Sequence, residues 1–238
     1  MIQLSNVLAI FRRELRSYFN SPVAYVVIVV FLAIIGWFFT SNLFLMNIAS
    51  LRVVFELVPL VFLFFVPAIT MRLLAEETKS GTLELLTTKP VRDIEIVTGK
   101  FLAAWALLAA ALAPTLFYLL TMLFLGSVDI GPVLSGYLGL LLMGGVYIGI
   151  GLFASSVTEN QIIAFILSFL IILALFLMDK VLMYVPEGLA STMEFLGMDY
   201  HFSNIARGVI DSRNVVYFLS LLSFSLFATT VSLERRKW

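Results

Sequence analysis

Six apolar runs decide most of what this chain can fold into: Val23 to Phe44, Val53 to Met71, Phe101 to Leu125, Val133 to Val157, Ile162 to Val185 and Val215 to Leu233. A bilayer core of roughly 30 Å takes about 17–25 mostly apolar residues per helix, and each run has about that length. Hydrocarbon offers backbone amides no partner, so such runs cross as helices. The second is the least regular, with Glu56 near one end and Pro59 and Pro67 inside it, which predicts a kinked or partly re-entrant span. The fifth ends on Asp179 and Lys180, where a helix would leave the hydrocarbon. With 61% hydrophobic residues against 13% charged, the chain cannot cover a soluble globule. The expected fold class is an all-α membrane protein of six transmembrane helices, with residues 1–238 as one transmembrane domain.

Lys and Arg are distributed unevenly between alternate loops, eleven on the side of the termini and four on the other (Arg52, Lys180, Arg207, Arg213). The excess predicts that both termini are cytoplasmic. The start does not read as a cleavable signal, because the first apolar run begins late, is too long, and lacks a small-residue cleavage site after it. Ahead of that run, residues 1–21 read as an amphipathic interfacial helix. Leu4, Val7, Leu8, Phe11, Leu15, Tyr18 and Phe19 share one arc, with Arg12, Arg13, Glu14 and Arg16 on the other.

The net charge is zero, so no basic excess points to nucleic acid. Without cysteine, and with His201 the one histidine, thiolate and His-rich metal sites are excluded. No G-x-x-x-x-G-K-[ST] loop is present to hold nucleotide phosphates. The third, fourth and sixth runs carry no charge, which leaves proton relays little to work with. Ser155, Ser156 and Ser168 have no base nearby in sequence and are expected to satisfy helix carbonyls or pack closely. His201 is expected to make a stabilising hydrogen bond in its loop. The chain is therefore not expected to be an enzyme: if it does work, another chain hydrolyses ATP.

Between the second and third runs lies the segment 72–100, the one cytoplasmic loop with enough polar residues to engage a partner. Gly81 can end a first helical stretch, Thr82 can cap the next, and Pro90 ends it, which leaves a short helix from Leu83 to about Thr88. That helix carries Leu83, Leu85 and Leu86 alongside Glu84, a mixture suited to docking in a groove.

The string EETKSGTLELLTTKPV, followed by Gly99-Lys100, resembles the loop after the second span in type-2 ABC transporter permeases. Glu76, Glu77, Gly81, Thr82, Glu84, Leu86 and Pro90 match it in spacing. A second segment, HFSNIARGVIDSRNVVYFL from His201, is similar to the entry to the last helix in the subgroup of gliding-motility and copper-enzyme-maturation permeases. It holds His201, Phe202, Arg207, Gly208 and Asp211, in an extracytoplasmic loop, 186–214, longer than a minimal connection. The resemblance implies a permease subunit of the bacterial inner (plasma) membrane that couples ATP hydrolysis by separate ATPase subunits to translocation, with 72–100 as the coupling loop. It implies partnership with ABC ATPase subunits and with an identical or homologous second permease subunit, in contact with membrane lipids. An extracytoplasmic auxiliary protein is a candidate partner. ATP and Mg would sit on the ATPase, and this chain would bind no cofactor. The alternative is an ATPase-driven mechanotransmitter or scaffold that moves no solute.

In the fourth run Gly136, Gly139, Gly144, Gly145, Gly149 and Gly151 form a small-residue face, expected to pack within the same subunit. The nearly uncharged interior suits a lipid-like or hydrophobic substrate.

Overall fold

The computed structural model describes residues 3–45, 50–82, 91–125, 129–181 and 193–235, and among them every regular element is helical. In chain order they are α1 (Leu4–Asn20), α2 (Pro22–Leu45), α3 (Arg52–Thr70), α4 (Ala75–Lys79), α5 (Asp93–Leu112), a 3-10 turn (Ala113–Thr115), α6 (Leu116–Leu125), α7 (Ile130–Val157), α8 (Gln161–Leu177), α9 (Met198–Ala206) and α10 (Ser212–Arg235). Five stretches are long and apolar enough to cross a membrane: Pro22–Leu45, Arg52–Lys79, Asp93–Leu125, Ile130–Val157 and Ser212–Arg235. The fifth expected span is shorter than the sequence suggested. Gln161–Leu177 is apolar, but the helix stops after 17 residues and passes into a turn holding Asp179 and Lys180.

Local sequence explains the boundaries. Proline suits the first helical position, where an amide would have no partner, and Pro22 opens α2 there. Asp129 and Asn160 cap α7 and α8, each side chain accepting from an amide two residues on. Pro59 and Pro67 lie inside α3 without ending it. The break comes just beyond Pro67, at residues 71–74, before the chain resumes as α4.

That break is filled from α7. The Ser155 hydroxyl accepts from the amides of Leu74 (3.0 Å) and Ala75 (2.9 Å) and donates to the carbonyl of Met71 (2.9 Å). Backbone groups freed inside an apolar core are costly unless partnered, and one side chain serves three of them. Ser156 and Ser168 bond carbonyls of their own helices, as expected.

α7 is the axis of the bundle. Its apolar window is 78% buried, against 22% for α2 and α10, so those two lie outermost. It packs on α3, α5, α8, α9 and α10. The small residues make this closeness possible: a Cβ at Gly151 would fall 2.0 Å from Thr70 Oγ1, and one at Gly136 would strike the Phe55 ring. Gly145 faces Trp105, and Gly149 faces Ser225. The small-residue face is thus filled by neighbours from the same chain.

Candidate functional site

α1 does not lie free on the bundle. It packs along the first half of α5, and Gly99 sets the distance, since a Cβ there would sit 2.8 Å from Ile10 Cβ and 3.1 Å from the Val7 carbonyl. The seam runs through Val7, Ile10, Glu14 and Tyr18, at helical spacing. One expectation for this helix is corrected. Glu14 belongs to the seam and not to the solvent arc, because a cation awaits it on α5. Leu4 and Leu8, assigned to the apolar arc, are exposed on the described chain.

The cation is Lys100, only 1% exposed. Its Nζ lies 3.2 Å from Glu14 Oε1 and 2.9 Å from Glu77 Oε1. Arg13 Nη2 closes the other side, 2.6 Å from Glu14 Oε1 and 2.8 Å from Glu77 Oε1. Two cations and two carboxylates thus alternate, and each acid touches both bases. Burial works against the Glu14 charge, but the attraction of Lys100 and Arg13 outweighs it and holds the carboxyl below its ordinary range.

Further contacts fix α1 at both ends. Glu95, 1% exposed, accepts from the amide of Gln3 (2.6 Å), from Asn6 Nδ2 (2.9 Å) and from the amide of Arg92 (3.2 Å). It therefore ties the start of α1 to the start of α5. At the other end, the buried Tyr18 hydroxyl donates to the Ile69 carbonyl (3.2 Å), and the Arg72 guanidinium lies 5.6 Å from the Tyr18 ring centre.

These contacts converge on the two roots of the polar loop. Glu77 stands on α4, where the loop begins, and Lys100 stands on α5, where it rejoins the bundle. Gly81 ends α4 with φ of 70°, a left-handed turn that glycine adopts without strain, and its amide bonds the Thr78 carbonyl (3.2 Å). Thr82 Oγ1 approaches Ser80 Oγ at 2.8 Å. Glu76 lines the shallow cavity beside the cluster. Leu83, Glu84, Leu85, Leu86 and Pro90 lie outside the described residues.

A family model described as ABC-2 family transporter protein matches residues 45–198, well over half of the chain and including the whole polar loop. The chain belongs to this family. It is a multi-pass membrane protein, the transmembrane part of an ABC transporter. No curated protein matches it. The ABC-2 match stops short of α1 on one side and of the His201 segment on the other, so Arg13 and Glu14 lie outside the matched residues while Glu77 and Lys100 lie within them.

In this ABC-2 chain the His201 segment is a packing device. His201 is buried, its Nδ1 2.7 Å from Asn214 Oδ1 and its Nε2 2.8 Å from the Phe195 carbonyl, and its ring stacks on Tyr217 with centroids 3.9 Å apart. Phe202 presses onto Gly139, and Gly208, with φ of 95°, turns the chain against Pro132. Asp211 accepts from the amide of Arg213 (2.9 Å) at the start of α10. Arg207, Gly208 and Asp211 are exposed, whereas His201 and Phe202 are buried. Arg12 and Arg16 line the outer face of α1.

Sequence reasoning had Lys100 in a matching motif and Glu14 on a polar arc, without bringing them together. A signal was present: Glu14 falls four residues from both Ile10 and Tyr18, on the stripe that α1 buries.

Proposed function

We propose that this chain couples ATP hydrolysis by separate ABC ATPase subunits to substrate movement across a bacterial inner membrane. On this reading α8 completes a set of six spans, both termini are cytoplasmic, and α1 lies in the cytoplasmic interface. The short helix expected at 83–88 docks in a groove on the ATPase. ATP and its magnesium belong to that partner, this chain does no chemistry of its own, and a second permease subunit completes the pathway. The segment from His201 to Leu219 resembles the subgroup of gliding-motility and copper-enzyme-maturation permeases, and the chain is placed there on this reading. A nearly uncharged interior favours a lipid-like substrate.

One observation carries the coupling: the Arg13–Glu14–Glu77–Lys100 cluster joins α1 to both roots of the loop. A push on the loop then reaches α3, α5 and α1 together, because a buried ion pair yields only at a cost of several kcal/mol. Glu84→Lys and Gly81→Val test it in the purified complex. Glu84→Lys should weaken ATPase binding more than tenfold, by removing a partner worth about 2–5 kcal/mol. Gly81→Val should uncouple hydrolysis by straining the turn with φ of 70°. Wild-type ATPase retention and hydrolysis in both variants would return the loop to a solvated connection.

A further inference from the structure

At the end of the bundle away from the charge cluster, α3, α6, α7, α9 and the end of α8 with its following turn surround a cavity of about 670 Å³. Sites for small organic ligands typically measure about 300–1,000 Å³. The floor is apolar, with Phe55, Met122, Phe176 and Phe202 all buried. Charges gather at the mouth. Arg52 opens α3, and Lys180 lies in the turn just beyond Leu177, the last residue of α8, so the mouth stands level with the ends of two apolar helices. An apolar floor beneath a charged rim at that level fits an amphiphile, chain inward and head at the rim.

The rim decides the sign of the head. Arg52 Nε is paired with Glu56 Oε1 at 2.7 Å, and Lys180 Nζ with Asp199 Oδ2 at 2.5 Å. Asp129 accepts from the Gly131 amide at 3.2 Å. Two of the three rim acids are therefore ion-paired, and the third, Asp129, is occupied as the cap of α7. Arg207 is the exception: it is exposed, and its guanidinium has no ion pair among the described residues. The turn at Gly208 against Pro132 holds it at the mouth. A guanidinium presents a planar fork of donors that matches phosphate geometry.

We propose that this cavity binds a phospholipid-like amphiphile, with its chain against Phe55 and Phe202 and its anionic phosphate head on Arg207. The inference rests on the proposed orientation, which puts the mouth at the outer head-group level, and it deepens the reading of a lipid-like substrate.

The test is native mass spectrometry of the purified full chain in uncharged maltoside micelles. The chain is titrated with a phosphatidylglycerol, with the diacylglycerol of the same chains, or with inorganic phosphate. Phosphatidylglycerol should bind saturably, and Arg207→Gln should weaken it about tenfold while leaving diacylglycerol unchanged. Ala206→Phe, which fills the cavity, should remove both. If that variant melts early, Arg207→Gln carries the test, because an exposed side chain can be changed without touching the core. Equal binding of phosphatidylglycerol and diacylglycerol would overturn the head-group assignment. Displacement by inorganic phosphate would make this a simple anion site. Loss of binding on neutralising Arg12, Arg13 and Arg16, with none in Arg207→Gln, would move the lipid to α1 and sink the proposal. ATPase retention is read separately through Glu84→Lys, so lipid binding can fail while the coupling reading stands, and the reverse.

Discussion

Lys100 and Glu77 meet at 2.9 Å across the two roots of one loop, with the ammonium almost wholly withdrawn from solvent. A buried ion pair holds its elements in one register more than it adds net stability. Its loss is therefore asymmetric. Lys100→Met keeps the apolar stem but leaves Glu14 and Glu77 facing each other with only the half-exposed Arg13 between them. We expect a loss of about 3–5 kcal/mol, most of it recovered when Glu14→Gln and Glu77→Gln are added. Thermal unfolding in micelles measures both steps, and a single variant as stable as the parent would show that the cluster holds nothing.

Glu14 sets a pH dependence. Its carboxyl is held below the ordinary value of 4.5, so the contribution is present above that value and disappears as the pH falls through the folded-state value. In the window below about pH 4.5 the unfolded chain binds the extra proton, and acidification therefore favours unfolding. Glu14→Gln should be less stable than the parent near neutrality, and the gap should close on acidification. Parallel melting curves for the two proteins across that range would contradict the assignment.

Ser155→Ala removes one hydroxyl and orphans two buried amides, those of Leu74 and Ala75. Each unsatisfied group costs about 1–3 kcal/mol, and the penalty falls at the junction between α3 and α4. Hydrogen exchange at Leu74 and Ala75 should accelerate while α7 stays protected. Unchanged exchange at both amides would assign the break another support.

Gly99→Ala should loosen α1 from α5, because its methyl would enter the space held by Ile10 Cβ at 2.8 Å. Overpacking of this kind typically costs about 1–3 kcal/mol. Limited trypsin digestion reads it directly, since Arg12, Arg13 and Arg16 lie on α1. Cleavage there should quicken, while the one site on α5, Lys100, remains resistant.

The spans were legible because hydrocarbon thickness acts on every residue of a helix, and runs such as Val23 to Phe44 carry the signal many times over. The end of α8 was less so, since apolar residues continue past Leu177 and only Asp179 and Lys180 hint at the stop. The charge cluster was hidden for another reason. A helical wheel shows which residues share a face, but not that the opposing helix brings a lysine to it. Glu14 was grouped by its own charge, whereas its position is decided by Lys100, 86 residues away in sequence. Ser155 was legible as a carbonyl partner but not as the plug of a break in another helix, which depends on how α7 crosses α3.

The clamp between Glu77 and Lys100 gives residues 82–91, between the two roots, the standing of an insert. Its two ends are fixed in space by groups belonging to the bundle, so a replacement of different length or sequence inherits anchor points instead of having to create them. On the proposed coupling reading, partner choice can then drift within residues 82–91 while Glu77, Glu95, Gly99 and Lys100 keep the bundle as it is, and a segment taken from a relative can be grafted there.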